Sequence, residues 1–337
     1  MRSEITIDRD ALRANLRRLT AALGGAELWA VVKADAYGHG AATVSETALD
    51  EGATALCVAT VGEGLELRDL FPAARIIVLS PTQVSEQRAA RAGGLELVVV
   101  DPPWPEGISL HVKVDTGMGR WGISDLIDAS PDVVGLLSHL ASADVDPEFT
   151  AEQIARFGEI AARHPHLTRH LANSAGILRY PDARFDAARA GLALYGLSPF
   201  GGDPADDGLS PVLSWRSRIA QVKQLEPGAS TGYGRRFVAT EPTWIGIVPV
   251  GYADGWRRNL TGAEVLVEGA RRPVVGTVSM DSFAVALAGT VDRGAPVTLI
   301  GDGLLAEEQA AAAGTITYEL VSRLNSSPAR ARRIVTP

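Results

Sequence analysis

The chain has 337 residues, of which 46% are hydrophobic and 21% charged, a globular composition that excludes chain-wide disorder. Its 32 basic and 40 acidic residues leave a net charge of −8, which disfavours electrostatic binding to nucleic acid. The longest charge-free stretch, Ala190–Gly202, has 13 residues, short of the ~18 that a bilayer span needs. A single cysteine, Cys57, excludes an internal disulfide and a multi-cysteine zinc site. The opening MRSEITIDRD has no apolar signal core, so a soluble cytoplasmic enzyme acting on small molecules is expected.

Residues 4–8 (EITID) read as a strand, and Asp8 or Asp10 as the cap of a helix carrying Leu12, Leu16 and Leu19. Short apolar runs then alternate with helix-like segments: LWAVVK, ATALCVAT, ARIIVLS, LELVVV, LHVKVD, VVGLLS, HLTRHLA and FDAARAG. Residues 149–163 are the clearest helix between them. Eight such runs predict a parallel sheet closed into a (β/α)8 barrel of the α/β class. GGDPADDGLSP, at 201–211, is a natural boundary. Beyond it SWRSRIAQVKQL, TWIGIVPVGYA, AEVLVEG, RPVVGTVSM, SFAVALAG and PVTLIG have an all-β texture, with a final helix over 315–325. The expected domains are a barrel over 9–204 and a mainly-β domain over 205–337, joined by the N-terminal strand 1–8.

One crossover is short. Only DPPWPEGI, residues 101–108, separates LELVVV from the next strand, and three prolines in eight positions do not make a useful helix. A barrel lacking one outer helix is expected there, with an extended strap whose Trp104 covers the strand edge or face.

Lysine is scarce: Lys33, Lys113 and Lys223 are the only three among the 32 basic residues. Lys33 ends an apolar strand and a small-residue loop follows, which is where barrel active sites are built. Desolvation by Val31 and Val32 would lower its pKa and make it a nucleophile toward carbonyl carbon, and pyridoxal phosphate (PLP) is the commonest cofactor attached in that way. Three other patterns carry less. Gly117, Gly119 and Gly122 form GxGxxG after a strand, but the acidic residue a dinucleotide site needs on the next strand is absent, its place being taken by Ser138-His139. His164, His166 and His170 flank Pro165 in a connector with no carboxylate motif, so no metal is expected. Cys57 sits in an apolar strand and reads as inert core.

AVVKADAYGHG resembles the PLP-attachment segment of the alanine racemase family. HVKVDTGMGR (111–120), LLSHLASAD (136–144), ANSAG (172–176), ARAGLALYG (188–196), GYGRRF (232–237), GYADGW (251–256) and VSMD (278–281) resemble that family in the same order. The family is a PLP-binding barrel followed by a β-domain. The resemblance implies an isomerase that interconverts L- and D-alanine by a two-base mechanism and supplies D-alanine for peptidoglycan.

It also implies residue roles. Lys33 holds PLP and serves as one base, and Tyr233 is the second, on the opposite face. Neutral tyrosine, with an ordinary pKa of about 10, is a poor base, and His139 and Arg189 are the neighbours implied to favour its ionisation. Arg189 faces the pyridine nitrogen and, always charged, keeps it unprotonated. Tyr37 and Ser174 offer hydroxyls to the phosphate, and Gly191 and Leu192 backbone amides. Taken alone, Ser174 in NSAG reads as a helix cap. Arg120 and the Met280 backbone N–H contact the substrate carboxylate. Lys113 matches a lysine that is carbamylated in some members, where it orients Arg120. The chain departs from the family near its C-terminus: NSSPAR puts Ser326 or a neighbour where many members have a phosphate-contacting tyrosine, which bears on substrate selectivity. A head-to-tail homodimer with shared active sites is implied, and members usually have a helix where this chain has its Pro-rich strap. The alternatives on this scaffold are a racemase of another small amino acid such as serine, a PLP carrier protein and a basic amino-acid decarboxylase. The β-domain and Tyr233 disfavour the carrier, and the lack of a C-terminal-domain cysteine disfavours the decarboxylase.

Overall fold

The computed structural model describes residues 2–126 and 130–337, and the chain divides into two compact units, residues 12–210 and residues 1–11 with 211–337. The opening strand β1 (Ser3–Asp8) belongs to the second unit. Asp8 caps the helix Arg9–Leu23, its Oδ1 accepting from the Ala11 amide at 2.9 Å. Leu12, Leu16, Leu19 and Leu23 form the helix's buried stripe.

The first unit is a closed barrel of eight parallel strands, β2 (Glu27–Val31), β3 (Ala55–Val58), β4 (Ile76–Val78), β5 (Glu96–Val99), β6 (Leu110–Lys113), β7 (Val133–Leu137), β8 (Thr168–His170) and β9 (Ala187–Ala190), with β9 closing onto β2. Each falls on one of the eight apolar runs. They are short and nearly fully buried, as expected of parallel strands covered on both faces. Outer helices cover Ala41–Asp50, Val61–Leu70, Val84–Ala92, Pro147–Ala162 and Ser174–Arg179. Helix Val61–Leu70 starts in a capping box in which the Glu63 amide donates to Thr60 Oγ1 and the Thr60 amide to Glu63 Oε2, both at 3.2 Å.

Residues 101–108 contain no helix and cross from β5 to β6 as a strap that bends at 101–103 and again at 106–108 rather than running extended. Trp104 is half-buried and Ile108 fully buried. The strap is pinned at its end, where Arg91 donates to the Glu106 carbonyl and the Gly107 amide to Asp132 Oδ2 at 2.8 Å. A covalently short crossover is thus tolerated because side chains of neighbouring segments replace the missing helix.

Gly135, on β7, admits the ring of His111 on β6: a Cβ at this position would lie 2.0 Å from His111 Nδ1. Gly135→Ala is therefore expected to destabilise the barrel by about 3 kcal/mol, the upper end of overpacking costs. A lowered denaturant midpoint measures it, and an unchanged midpoint would contradict the close packing.

The second unit holds β10 (Leu213–Arg218), β11 (Gln221–Leu225), β12 (Ser230–Thr231), β13 (Phe237–Val238), β14 (Thr243–Val248), β15 (Glu264–Val267), β16 (Ala270–Val275), β17 (Phe283–Leu287), β18 (Pro296–Ile300) and β19 (Ala331–Thr336). Among the described residues, nine strands form one sheet in the order β11-β14-β17-β16-β15-β18-β10-β1-β19, and β12 and β13 make a separate hairpin. The run 214–225, read as one strand, is two. The break falls at Ile219–Ala220, whose amides bond to Ala295 O and Ile247 O at 2.9 and 2.8 Å and so redirect the chain toward β14. The helix expected over 315–325 is shorter, Thr317–Ser322, and is preceded by Ala306–Ala312, with Gly314 at φ +63° turning the chain between them. Strand β19, not anticipated, pairs parallel to β1 and brings the two chain ends into one sheet.

Candidate active site

Lys33 lies two residues beyond the last residue of β2, at the C-terminal end of a barrel strand. The next four residues, Ala34, Asp35, Ala36 and Tyr37, all have φ between +52° and +54°, a left-handed turn built without glycine. Such a turn costs roughly 1–2 kcal/mol per residue, and side chains hold it in place. Glu63 Oε1 accepts from the Ala34 amide at 2.8 Å, and Asp35 Oδ1 accepts from the Ala41 amide at 2.8 Å. Glu63 thus has a second role beyond its capping box. Burial lowers the Lys33 amine below the ordinary lysine value; the positive charge of Arg120 adds to the shift, Glu63 opposes it and Arg189 reinforces it.

Tyr37, Ser174 and Gly191 converge at the ends of β2, β8 and β9. A Cβ on Gly191 would lie 2.8 Å from the Tyr37 hydroxyl, so only glycine lets the backbone approach that oxygen. Ser174 Oγ accepts from the Gly191 and Ala193 amides at 3.1 and 3.2 Å. The helix cap is Asn173, whose Oδ1 accepts from the Gly176 amide at 3.0 Å, and this leaves the Ser174 hydroxyl for the loop after β9. The Ala193 amide is thus the second donor at Ser174. Leu192 is buried and begins the single 3₁₀ turn Leu192–Tyr195. Hydroxyls and backbone N–H groups converging beside a glycine suit a phosphate, and a buried lysine of lowered basicity suits an aldehyde. The residues therefore fit PLP.

Arg189, on β9, is buried. Its Nη1 donates to His170 Nδ1 at 2.7 Å and His170 O at 2.9 Å, and its Nη2 to Ser138 O at 2.7 Å, Leu171 O at 3.1 Å and His139 Nδ1 at 3.3 Å. Burial lowers its pKa to about 10, so it is still a cation at neutral pH. His139 is held well below the ordinary histidine value by burial and then by the charge of Arg189, so its ring is neutral.

Lys113 closes β6 and is buried; burial, then Arg120 and Arg189, bring its amine to about 8. Trp121 lies beside both cations, its ring centroid 5.6 Å from Lys113 Nζ and 5.3 Å from Arg120 Cζ. The glycine loop between them is no phosphate cradle. Asp115 fills it, its carboxylate accepting from the amides of Gly117, Met118 and Gly119 at 2.8 to 3.1 Å. No metal-holding cluster is present among the described residues, and the three histidines of the connector part company: His164 Nε2 meets Leu126 O at 3.0 Å, while His170 ends β8 against Arg189. Cys57 is fully buried and burial pushes its thiol up to about 12.

The second unit carries Tyr233, Met280 and Ser326. Tyr233 sits at the tip of the β12–β13 hairpin, 73% exposed. Its carbonyl accepts from Thr277 Oγ1 at 2.8 Å, and Gly232 at φ +78° passes so close that a Cβ would lie 2.8 Å from the Thr277 amide. Met280 is 51% exposed on the turn after β16. The Met280 and Ser279 carbonyls accept from the Ala253 and Tyr252 amides at 3.0 and 3.1 Å, which draws VSMD and GYADGW together. Ser326 is half-buried beside Asn325, which donates to Ala253 O at 3.0 Å.

Comparison with known proteins identifies the family. The family models for the alanine racemase N-terminal domain and C-terminal domain match residues 7–199 and 212–334. The chain is 37% identical to the alanine racemase of Geobacillus stearothermophilus, over 93% of this chain and 89% of that one. Alanine racemase from Streptomyces coelicolor A3(2) superposes with a TM-score of 0.90 at 38% identity, covering 99% of this chain and 98% of that one. The alanine racemase from Bartonella henselae, solved with covalently bound pyridoxal phosphate, superposes with a TM-score of 0.90 at 28% identity and full coverage of both chains. The chain belongs to the alanine racemase family.

Proposed function

We propose that this chain interconverts L- and D-alanine with PLP, with Lys33 and Tyr233 moving the α-proton on opposite faces of the substrate. The observation that carries this is a half-buried lysine of lowered basicity at the barrel mouth, in the same unit as a hydroxyl-and-amide cradle and a buried, charged arginine. When bound, PLP supplies the electron sink that acidifies the substrate's α-carbon.

The residues divide the remaining work. Lys33 Nζ would hold the cofactor through its aldehyde carbon, and its amine would accept or return the substrate's α-proton on one face. Tyr37, Ser174 and the Gly191 and Leu192 amides would hold the phosphate, with the Ser174 hydroxyl turning from acceptor to donor. Arg189 presents a permanent cation to the ring nitrogen, which limits the strength of the sink and disfavours side reactions such as transamination. Arg120 and the Met280 N–H bind the substrate carboxylate. With an amine near 8, Lys113 has a neutral fraction able to combine with carbon dioxide, and the carbamate so formed would be the anion that orients Arg120. The exposure of Tyr233 and Met280 in a single chain supports a homodimer in which each subunit completes its partner's site. The substrate is a small molecule, and the role is to supply D-alanine to peptidoglycan in the cytoplasm. No described helix is long and apolar enough to cross a membrane.

A panel of pure L-amino acids, assayed for the D-enantiomer, tests the reading. L-alanine is expected to be the best substrate, with L-serine next because Ser326 lies where many members have a tyrosine. No D-alanine from the PLP-loaded protein would overturn it.

A further inference from the structure

Glu96, His111 and His170 are ionisable side chains of the barrel that the proposed chemistry does not use. Glu96 opens β5, where Arg75 Nε and Nη2 donate to its Oε1 and Oε2 at 2.7 and 3.0 Å. His111 Nε2 lies 2.7 Å from Glu96 Oε2, His111 Nδ1 lies 2.9 Å from His170 Nε2, and His170 Nδ1 lies 2.7 Å from Arg189 Nη1. The four groups form a continuous chain from the N-terminal end of β5 to the arginine of the site.

Donor and acceptor accounting gives that chain one direction. Both imidazoles are fully buried, and burial lowers both below the ordinary histidine value, so each is neutral with one N–H and one lone pair. A guanidinium only donates, so His170 Nδ1 accepts from Arg189 and the His170 proton is on Nε2. That N–H donates to His111 Nδ1, which places the His111 proton on Nε2 as well. His111 Nε2–H then donates to Glu96, a carboxylate, which only accepts. The two ends agree without any unpaired link. Packing keeps the rings from turning: Trp29 stands 4.4 Å from His170 and 5.7 Å from His111, centroid to centroid.

We propose that Glu96 is a positioning residue that, through His111 and His170, keeps a lone pair facing Arg189 and so holds the arginine in its orientation toward the cofactor ring. This rests on the reading that Arg189 faces that ring. Without the carboxylate, His111 has no acceptor for its Nε2–H, and the reversed chain becomes accessible. In the reversed chain His170 carries its proton on Nδ1, against an Arg189 N–H, and two donors meet. The contacts of Arg189 to Ser138 O, His170 O and Leu171 O would remain, so the arginine would shift rather than leave.

Long-range 1H–15N NMR of cofactor-free protein labelled at histidine nitrogen reads the tautomers directly. Wild type is expected to carry the proton on Nε2 in both His111 and His170. In Glu96→Leu, at least one of the two should move to Nδ1–H or to a mixture. In the holoenzyme, kcat for L-alanine should fall about ten-fold, or about 1.4 kcal/mol. KM should change by less than about two-fold, because the substrate contacts are untouched. If Arg75, left without its carboxylate, prevents Glu96→Leu from folding, Arg75→Leu/Glu96→Leu carries the same test. Wild-type tautomers retained in the folded variant, or an Nδ1–H on either histidine of the wild type, would overturn the proposal. A wild-type holoenzyme that does not racemise alanine would overturn the functional reading instead, and the cofactor-free spectra would still decide the direction of the chain.

Discussion

Lys33→Ala is expected to reduce racemisation to background, a loss on the order of 10⁴-fold or more, because under the proposed function one side chain both attaches the cofactor and moves a proton. Two of the three lysines are plausible attachment points on basicity alone: Lys33 is lowered by burial and Arg120, and Lys113 stands near 8 for the same reasons. Their surroundings separate them. Lys33 begins the left-handed turn that carries Tyr37, whose hydroxyl stands beside Gly191 in the cradle, whereas Lys113 ends β6 beside Trp121. Lys223, on β11, is exposed. Borohydride fixes the bond between cofactor and lysine, and peptide mapping then locates it. Label on Lys33 is the expected result, and label on Lys113 or Lys223, or none, would refute the assignment. Lys33→Ala should still fold, since a half-buried amine is removed without opening the core.

How much of this was legible in the sequence depends on how local each feature is. The barrel strands were legible because each is a short apolar run buried on both faces, and β3 shows it in ALCV, with all four residues buried. The helix start at Asp8 was legible from residue type. The Pro-rich strap was legible because proline excludes a helix whatever surrounds it. Lys33 was legible from its place at a strand end.

The features that were missed are contacts between segments distant in the chain. His170 was read with His164 and His166 as part of a connector. It closes β8 and meets Arg189 on β9 and His111 on β6, a contact across the barrel that no local periodicity reports. Glu96 lies inside the run LELVVV without any signal of its own, and only the fold shows it facing His111 and Arg75. The left-handed turn after Lys33 has no glycine to announce it, and its anchor, Glu63, is 29 residues from Ala34 along the chain. Ser174 was read as a helix cap, and only the fold shows Asn173 in that place with the Ser174 hydroxyl meeting the Gly191 and Ala193 amides of the loop after β9.

Tyr233→Phe is expected to retain cofactor and to lose racemisation by about 10²- to 10⁴-fold, the range for a single general acid or base. Inversion at carbon needs a proton removed from one face and returned on the other, and one lysine does not reach both. The Tyr233 side chain is 73% exposed while its backbone is pinned by Thr277, so removing the hydroxyl alone should leave the hairpin in place. Because the two enantiomers are equal in free energy, kcat/KM must fall equally in both directions. The asymmetry should appear instead in α-proton exchange with deuterated water, which should persist for the enantiomer served by Lys33 and be lost for the other. Equal rates of exchange for both, or wild-type racemisation, would remove Tyr233 from the chemistry. Mixing Lys33→Ala with Tyr233→Phe protein then asks which chain supplies the tyrosine. If each subunit completes its partner's site, random exchange leaves one intact site in every mixed dimer and should restore about a quarter of wild-type activity. No recovery after exchange has been demonstrated would place Lys33 and Tyr233 of one chain in the same site.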